Sequence, residues 1–242
     1  PVRYPFHGVE ATISGVGYNL AKALTVLGNQ VIFQSIIGKD LARLMIYESM
    51  QNDKISTDYV VELMDQSARS VIIYEPSGRR QINVDLKDIQ QVEFPYDRFQ
   101  HNLERSDILA LCNINFNRPL LADAISSSKP IATDLHTMHS LDHDYDQDFL
   151  KAANIVFLSD EELPCPPEEF AWELIAKFNT KIVGIGLGSM GAMIALRDSG
   201  ETHFVPAVQT REIVNTIGAG DALFSAFLHE YARNKDPLAA LK

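Results

Sequence analysis

Basic charge is scarce in this chain of 242 residues: 21 Lys and Arg against 32 Asp and Glu leave a formal net charge of −11. A phosphate-backbone partner normally leaves a basic patch or stripe in the sequence, so no nucleic acid is expected as a partner. Cysteine is scarcer still. Cys112 lies inside an apolar run and Cys165 between prolines, which makes neither a disulfide framework nor a metal-ligand spacing, and a reducing cytoplasm is the expected compartment. Long apolar runs are missing too: none approaches the ~18 residues of a membrane span, and no secretory leader is expected. No membrane partner is expected. Internal repeats, low-complexity tracts and a clear domain linker are equally absent.

What remains is ordinary in bulk. At 46% hydrophobic and 22% charged, the composition is that of a soluble globular chain able to bury one sizeable core. Pro1 stands where a Met would, and Lys242 falls within the helix-like "DPLAALK". The expectation is one domain over 1–242 with both ends incomplete.

Apolar residues Leu20, Ala23, Leu24 and Leu27 repeat at helical spacing over 16–27, and Gly28 follows as a stop. "QVIFQSII" (30–37) reads as a β-branched strand, followed by a helix over about 40–50. The short continuous runs "DILALC", "PIATDL", "NIVFLS" and "KIVGIGLG" read as strands of a parallel sheet buried on both faces. Helices are expected at about 118–127, 146–152, 168–178 and 218–233. Residues 70–86 differ: two runs joined by Pro76-Ser77-Gly78 read as a hairpin, a form suited to a lid or an oligomer contact.

Two glycine turns open helices. The first, "SGVGYNLAKAL", begins like a dinucleotide fingerprint at Gly15 and Gly17, but the third glycine position is Leu20 and "VIFQS" ends without a ribose-binding acid. A dehydrogenase is therefore disfavoured. The second is "NTIGAGDALFSAF". Gly218 and Gly220 let backbone N–H groups converge at the positive end of a helix, which holds an anion. A carboxylate there, Asp221, repels a bound phosphate but can take the proton of an incoming hydroxyl while the amides stabilise a transferring phosphoryl group. The following helix, with Leu223, Phe224, Phe227 and Leu228, is expected to be apolar nearly all round and buried.

With both turns in place, the chain resembles the ribokinase-like (PfkB) carbohydrate kinases along its whole length. The motif N-T-x-G-A-G-D-A falls on 215–222, and the early G-G-x-x-x-N turn corresponds to Ser14-Gly15-Val16-Gly17-Tyr18-Asn19. The resemblance implies a three-layer α/β/α sandwich with a mainly parallel sheet and a small β lid. It implies ATP-dependent phosphorylation of a sugar hydroxyl, with Mg²⁺ and, in some members, a monovalent cation. Asp221 becomes the catalytic base and Gly218, Ala219 and Gly220 the anion hole. Gly15, Gly17 and Asn19 become substrate contacts. "PIATDLH" resembles the strand ending in D-x-N, "ANIVFLSDEE" the strand leading to N-x-x-E, and "VGIGLGSMGAMI" the strand-turn-strand that contacts ATP. Glu162 would thus organise magnesium indirectly, and Gly188, Gly191 and Thr216 would line the nucleotide site. A homodimer through the lid is a further implication.

The chain departs from the pattern at Ser159 and His136, where Asn is usual, at Gly186, where Thr is common, and at Asn215, where Asp is common. These departures keep open a nucleoside kinase, and a non-catalytic sugar- or nucleotide-binding regulator, beside the sugar kinase. A regulator gains nothing from a base beside its anion site. His136, His139 and His143, with alternating acids at 142–148, meet no metal-ligand template and read as a solvated loop. Arg79 and Arg80 at the hairpin tip are placed to meet substrate or solvent.

Overall fold

The computed structural model describes residues 8–74, 80–208, Thr216 and 218–242. The expected turn at Pro76-Ser77-Gly78, Arg79 and Asn215 lie outside the described residues.

Four strands, β5 (Leu109–Ala110), β6 (Ile131–Asp134), β7 (Ile155–Ser159) and β8 (Ile182–Gly186), run parallel as neighbours. Two antiparallel strands, β9 (Gly191–Leu196) and β10 (Glu201–Pro206), complete a six-stranded sheet in the order β10-β9-β8-β7-β6-β5. Alternate residues of these strands serve opposite layers. Val156 and Leu158 of β7 pack with Phe170 and Leu174 of α6 (Pro167–Phe178), whereas Ile155 and Phe157 pack with Phe224 and Phe227 of α7 (Ala219–Asn234). Burial on both faces explains why these strands read as unbroken apolar runs. The result is the three-layer α/β/α sandwich.

Local chemistry sets the helix ends. Helix α6 starts with Pro167 at its first position, carries Glu168 and Glu169 in its first turn and Lys177 in its last, and closes on a left-handed Asn179. Helix α1 (Val16–Val26) buries Tyr18, Leu20 and Ala21 and packs against α7.

Several expectations need correction. The strand expected over 30–37 is only β1 (Ser35–Gly38), paired in parallel with β2 (Val60–Met64); Val31 and Phe33 instead pack as loop residues beside Tyr18. "DILALC" contributes only the two residues of β5. Over 115–120 the chain forms a 3₁₀ turn around Pro119, leaving α4 (Leu121–Ser126) shorter than expected. Helix α7 is not buried all round: Ala222 and Ala226 face solvent.

A hairpin of β3 (Arg69–Tyr74) and β4 (Arg80–Asp85) stands off this body, each strand packing chiefly on the other. At its root, Ser67 donates to Asp40 at 2.9 Å and accepts from the Gly38 amide at 3.0 Å. Arg69 pairs with the same carboxylate at 2.6 Å. Its guanidinium holds the Asp40 carboxyl below the usual aspartate range, against the opposing effect of burial.

Candidate active site

The carboxyl ends of parallel strands are where open α/β sheets place ligands, and the two glycine turns meet there. Gly15, with φ at 124°, caps α1, and Gly218, in the left-handed region with φ at 73°, caps α7. Neither cap uses a side chain; in the first turn of α7 the Ala219 N–H is already engaged within the chain, and the Gly220 N–H has no partner among the described residues. Asn19 Nδ2 donates to Asp221 Oδ2 at 2.6 Å across 202 positions of sequence. A Cβ at Gly218 would stand 3.8 Å from that oxygen and 4.0 Å from the Asn19 amide. Among the described residues, the Asp221 carboxylate accepts from Asn19 and from no group of its own helix. Simple capping therefore does not account for it.

Behind Gly220 stands a residue that the sequence reading quoted without giving it a role. Asp134, the last residue of β6, is 6% exposed, and its Oδ1 accepts the His136 amide at 2.9 Å. Its Oδ2 would lie 3.9 Å from a Cβ on Gly220. Burial pushes its carboxyl above the ordinary range; the charge and amide of His136 oppose this, and the charge of Asp221 adds to it. A signal existed: an acid ending an otherwise apolar parallel strand points to the ligand edge of the sheet. Cys112 completes the floor. Its Sγ would be 3.5 Å from a Cβ on Gly17, and burial followed by the charges of Asp134 and Asp221 pushes the thiol up to about 12. It remains an uncharged thiol, not a nucleophile.

The strand ends are stitched together. Ser159 N–H donates to the His136 carbonyl at 2.6 Å, and Asp160 N–H to the Gly186 carbonyl at 3.0 Å. Gly186 faces Leu223 of α7. Beyond it, Gly188 and Gly191 flank a single 3₁₀ turn. Gly191 has a reason independent of any ligand: a Cβ there would fall 2.1 Å from the Val205 carbonyl of β10. Thr216 is exposed, and its carbonyl accepts the Ala219 amide at 3.3 Å.

Glu162 takes its partner outside the Asn19–Asp221 pair. It sits at positive φ in the loop after β7, exposed, and pairs with His139 at 3.2 Å. Among the described residues no three His, Cys, Asp or Glu side chains converge on one metal position. His143 pairs with Asp146, and among the described residues no helix is long and apolar enough to cross a membrane.

Comparison with known proteins gives the family and the fold. The model of the pfkB family carbohydrate kinases matches residues 5–242. A curated protein of Archaeoglobus fulgidus described as an uncharacterized sugar kinase is 26% identical over 226 residues, covering 88% of this chain and 87% of that protein. Among solved structures, a microbiome-derived acarbose kinase aligns with a TM-score of 0.82 at 24% identity, over 93% of this chain and 75% of its own. The ribokinase of Arabidopsis thaliana, complexed with ribose and ATP, aligns with a TM-score of 0.81 at 18% identity, over 99% and 83%.

Proposed function

The chain belongs to the pfkB family of carbohydrate kinases, and from that premise we propose that it transfers the γ-phosphoryl group of ATP to a hydroxyl of a small sugar. The observation that carries this reading is the Asn19–Asp221 hydrogen bond, which joins the two glycine turns at the ligand edge of the sheet.

In this reading Asp221 accepts the proton of the acceptor hydroxyl as the oxygen attacks the γ-phosphorus and the bond to ADP breaks. The amides of Gly218 and Gly220, joined by that of Ala219 once it leaves the Thr216 carbonyl, stabilise charge on the transferring group. Gly15, Gly17 and Asn19 seat the acceptor, and Gly188, Gly191 and Thr216 border the nucleotide. Positioning supplies most of the acceleration, because phosphoryl transfer asks little covalent work of the protein.

Magnesium fits the residues present. Mg²⁺ beside phosphates takes one or two protein carboxylates and keeps its waters, so the lack of a three-ligand cluster among the described residues is no obstacle. Asp134, buried and raised by burial beside a second carboxylate, is a group that a cation would relieve, and Glu162 would contribute through water. When bound, the ion screens the phosphate charges. A monovalent-cation site near Asn215 would fall outside the described residues.

The hairpin is read as a lid and, through a second copy, as a dimer contact. Its faces expose Val71 and Ile73 on one side and Ile72, Ile82 and Val84 on the other. The whole chain is read as one domain working in the cytoplasm.

The test is ADP release from Mg-ATP across a panel of sugars and nucleosides. Stimulation by sugars is expected. Stimulation by nucleosides alone would move the acceptor class, and ATP binding with no stimulation by any acceptor would replace the kinase with a binding regulator.

A further inference from the structure

We propose that Asn19 holds the base in reserve, so that Asp221 meets an acceptor hydroxyl and not water. This rests on the reading of Asp221 as the base and deepens it: Asn19 becomes a residue that discriminates between two nucleophiles.

The Asn19 amide covers one particular oxygen. Oδ2 of Asp221 is the oxygen nearest Gly218, on the side of the first turn of α7 where the phosphoryl group is to be held. The amide is itself steadied by Ser14, whose Oγ accepts from Asn19 Nδ2 at 3.3 Å and lies 3.4 Å from Asn19 Oδ1. Meanwhile the surroundings are open: Ser14, Gly15, Ala219 and Gly220 are exposed. Water therefore reaches the pair.

An uncovered carboxylate beside bound ATP would serve water as readily as a sugar. The water oxygen would bond to the γ-phosphorus, the bond from that phosphorus to ADP would break, and the water proton would pass to Asp221. ADP and inorganic phosphate would be lost without product. Displacing the amide from Oδ2 exchanges a charge-assisted hydrogen bond and leaves the Asn19 N–H needing a new acceptor. A lone water brings no binding energy from elsewhere to drive that exchange. A sugar held by its other contacts does, and a neighbouring hydroxyl can accept from Asn19 while the reacting one donates to Asp221. The acceptor class that fits is a polyol with adjacent hydroxyls.

The experiment compares the parent protein with Asn19→Leu, Asn19→Ala and Asp221→Asn, each checked for an intact fold by its thermal melt. Acceptor-free ADP release in Mg-ATP is measured first, then phosphorylated product with the most active sugar or nucleoside of the panel. Loss of a hydrogen bond to a charged group is expected to raise the absolute rate of acceptor-free ADP release by about tenfold or more in both Asn19 variants, whatever happens to product. Asp221→Asn is expected to lower both activities by about 10²–10⁴. If the Asn19 variants lose product while acceptor-free ADP release stays at or below the parent rate, Asn19 only seats the substrate and this inference fails alone. If Asp221→Asn keeps full turnover, the base assignment itself fails, and the reserve role with it.

Discussion

Gly184 and Phe157 show how tightly single residues are tied where two strands serve one layer. A Cβ at Gly184 would come within 2.5 Å of the Phe157 ring, and that ring packs on Phe224 and Phe227 of α7 with centroids 5.2 and 4.8 Å away. Gly184→Ala is expected to cost about 1–3 kcal/mol by overpacking. In the double variant with Phe157→Leu the two losses should not add, because the smaller side chain makes room; chemical denaturation of the four proteins measures this. Gly218→Ala should behave differently. Its methyl would enter a left-handed position directly over the Asn19–Asp221 pair, so activity should fall further than the melting temperature suggests. The same residues mark what the sequence disclosed. Asp221 was legible because two glycines beside an acid have no economical reading as a cap. Asp134 was not, because one acid at the end of an apolar run carries no spacing of its own.

Among elements, the lid root makes a prediction of its own. Asp40, at the β1–α2 junction ahead of α2 (Ala42–Asn52), receives Ser67 and Arg69 from the incoming strand of the hairpin. Arg69 also stands opposite Asp85 in the β3–β4 register, and Asp85 pairs with Lys87. Charges thus alternate across both connections to the lid. Asp40→Asn should raise hydrogen exchange across 69–74 and 80–85 while leaving β6–β8 protected. Because the folded Asp40 carboxyl sits below its ordinary range, its contribution to stability is present above the unfolded aspartate value, about 4. It is lost as the pH falls through the lowered value. Unchanged exchange in the variant would mean the hairpin is held elsewhere. The elements legible in the sequence were those with one dominant pattern: α1, α6, α7 and β6–β8. Helix α3 (Tyr96–Arg105) was missed because its buried apolar residues are only Phe99 and Leu103 within a charged segment. Strand β10 was missed because its sequence, Glu-Thr-His-Phe-Val-Pro, ends in proline and lies at the sheet edge with little burial. The strand over 30–37 was overread because β-branched residues signal packing, and only β1 found a ladder partner.

At the scale of the whole molecule, four buried clusters follow one another around the central sheet and the β1–β2 pair, which supports the proposal of a single cooperative unit. Thermal unfolding should then show one transition, and Mg-ATP should shift it upward by mass action; two separated transitions would argue for independent parts. The central claim is that Asp221 takes the proton from the acceptor hydroxyl, and kinetics of Asp221→Asn with Mg-ATP and the best acceptor test it most directly. The account expects kcat to fall by about 10²–10⁴ with little change in the acceptor KM, because a general base acts in the transition state more than in binding. A variant that keeps the kcat of the parent, or that loses only acceptor affinity, would contradict it.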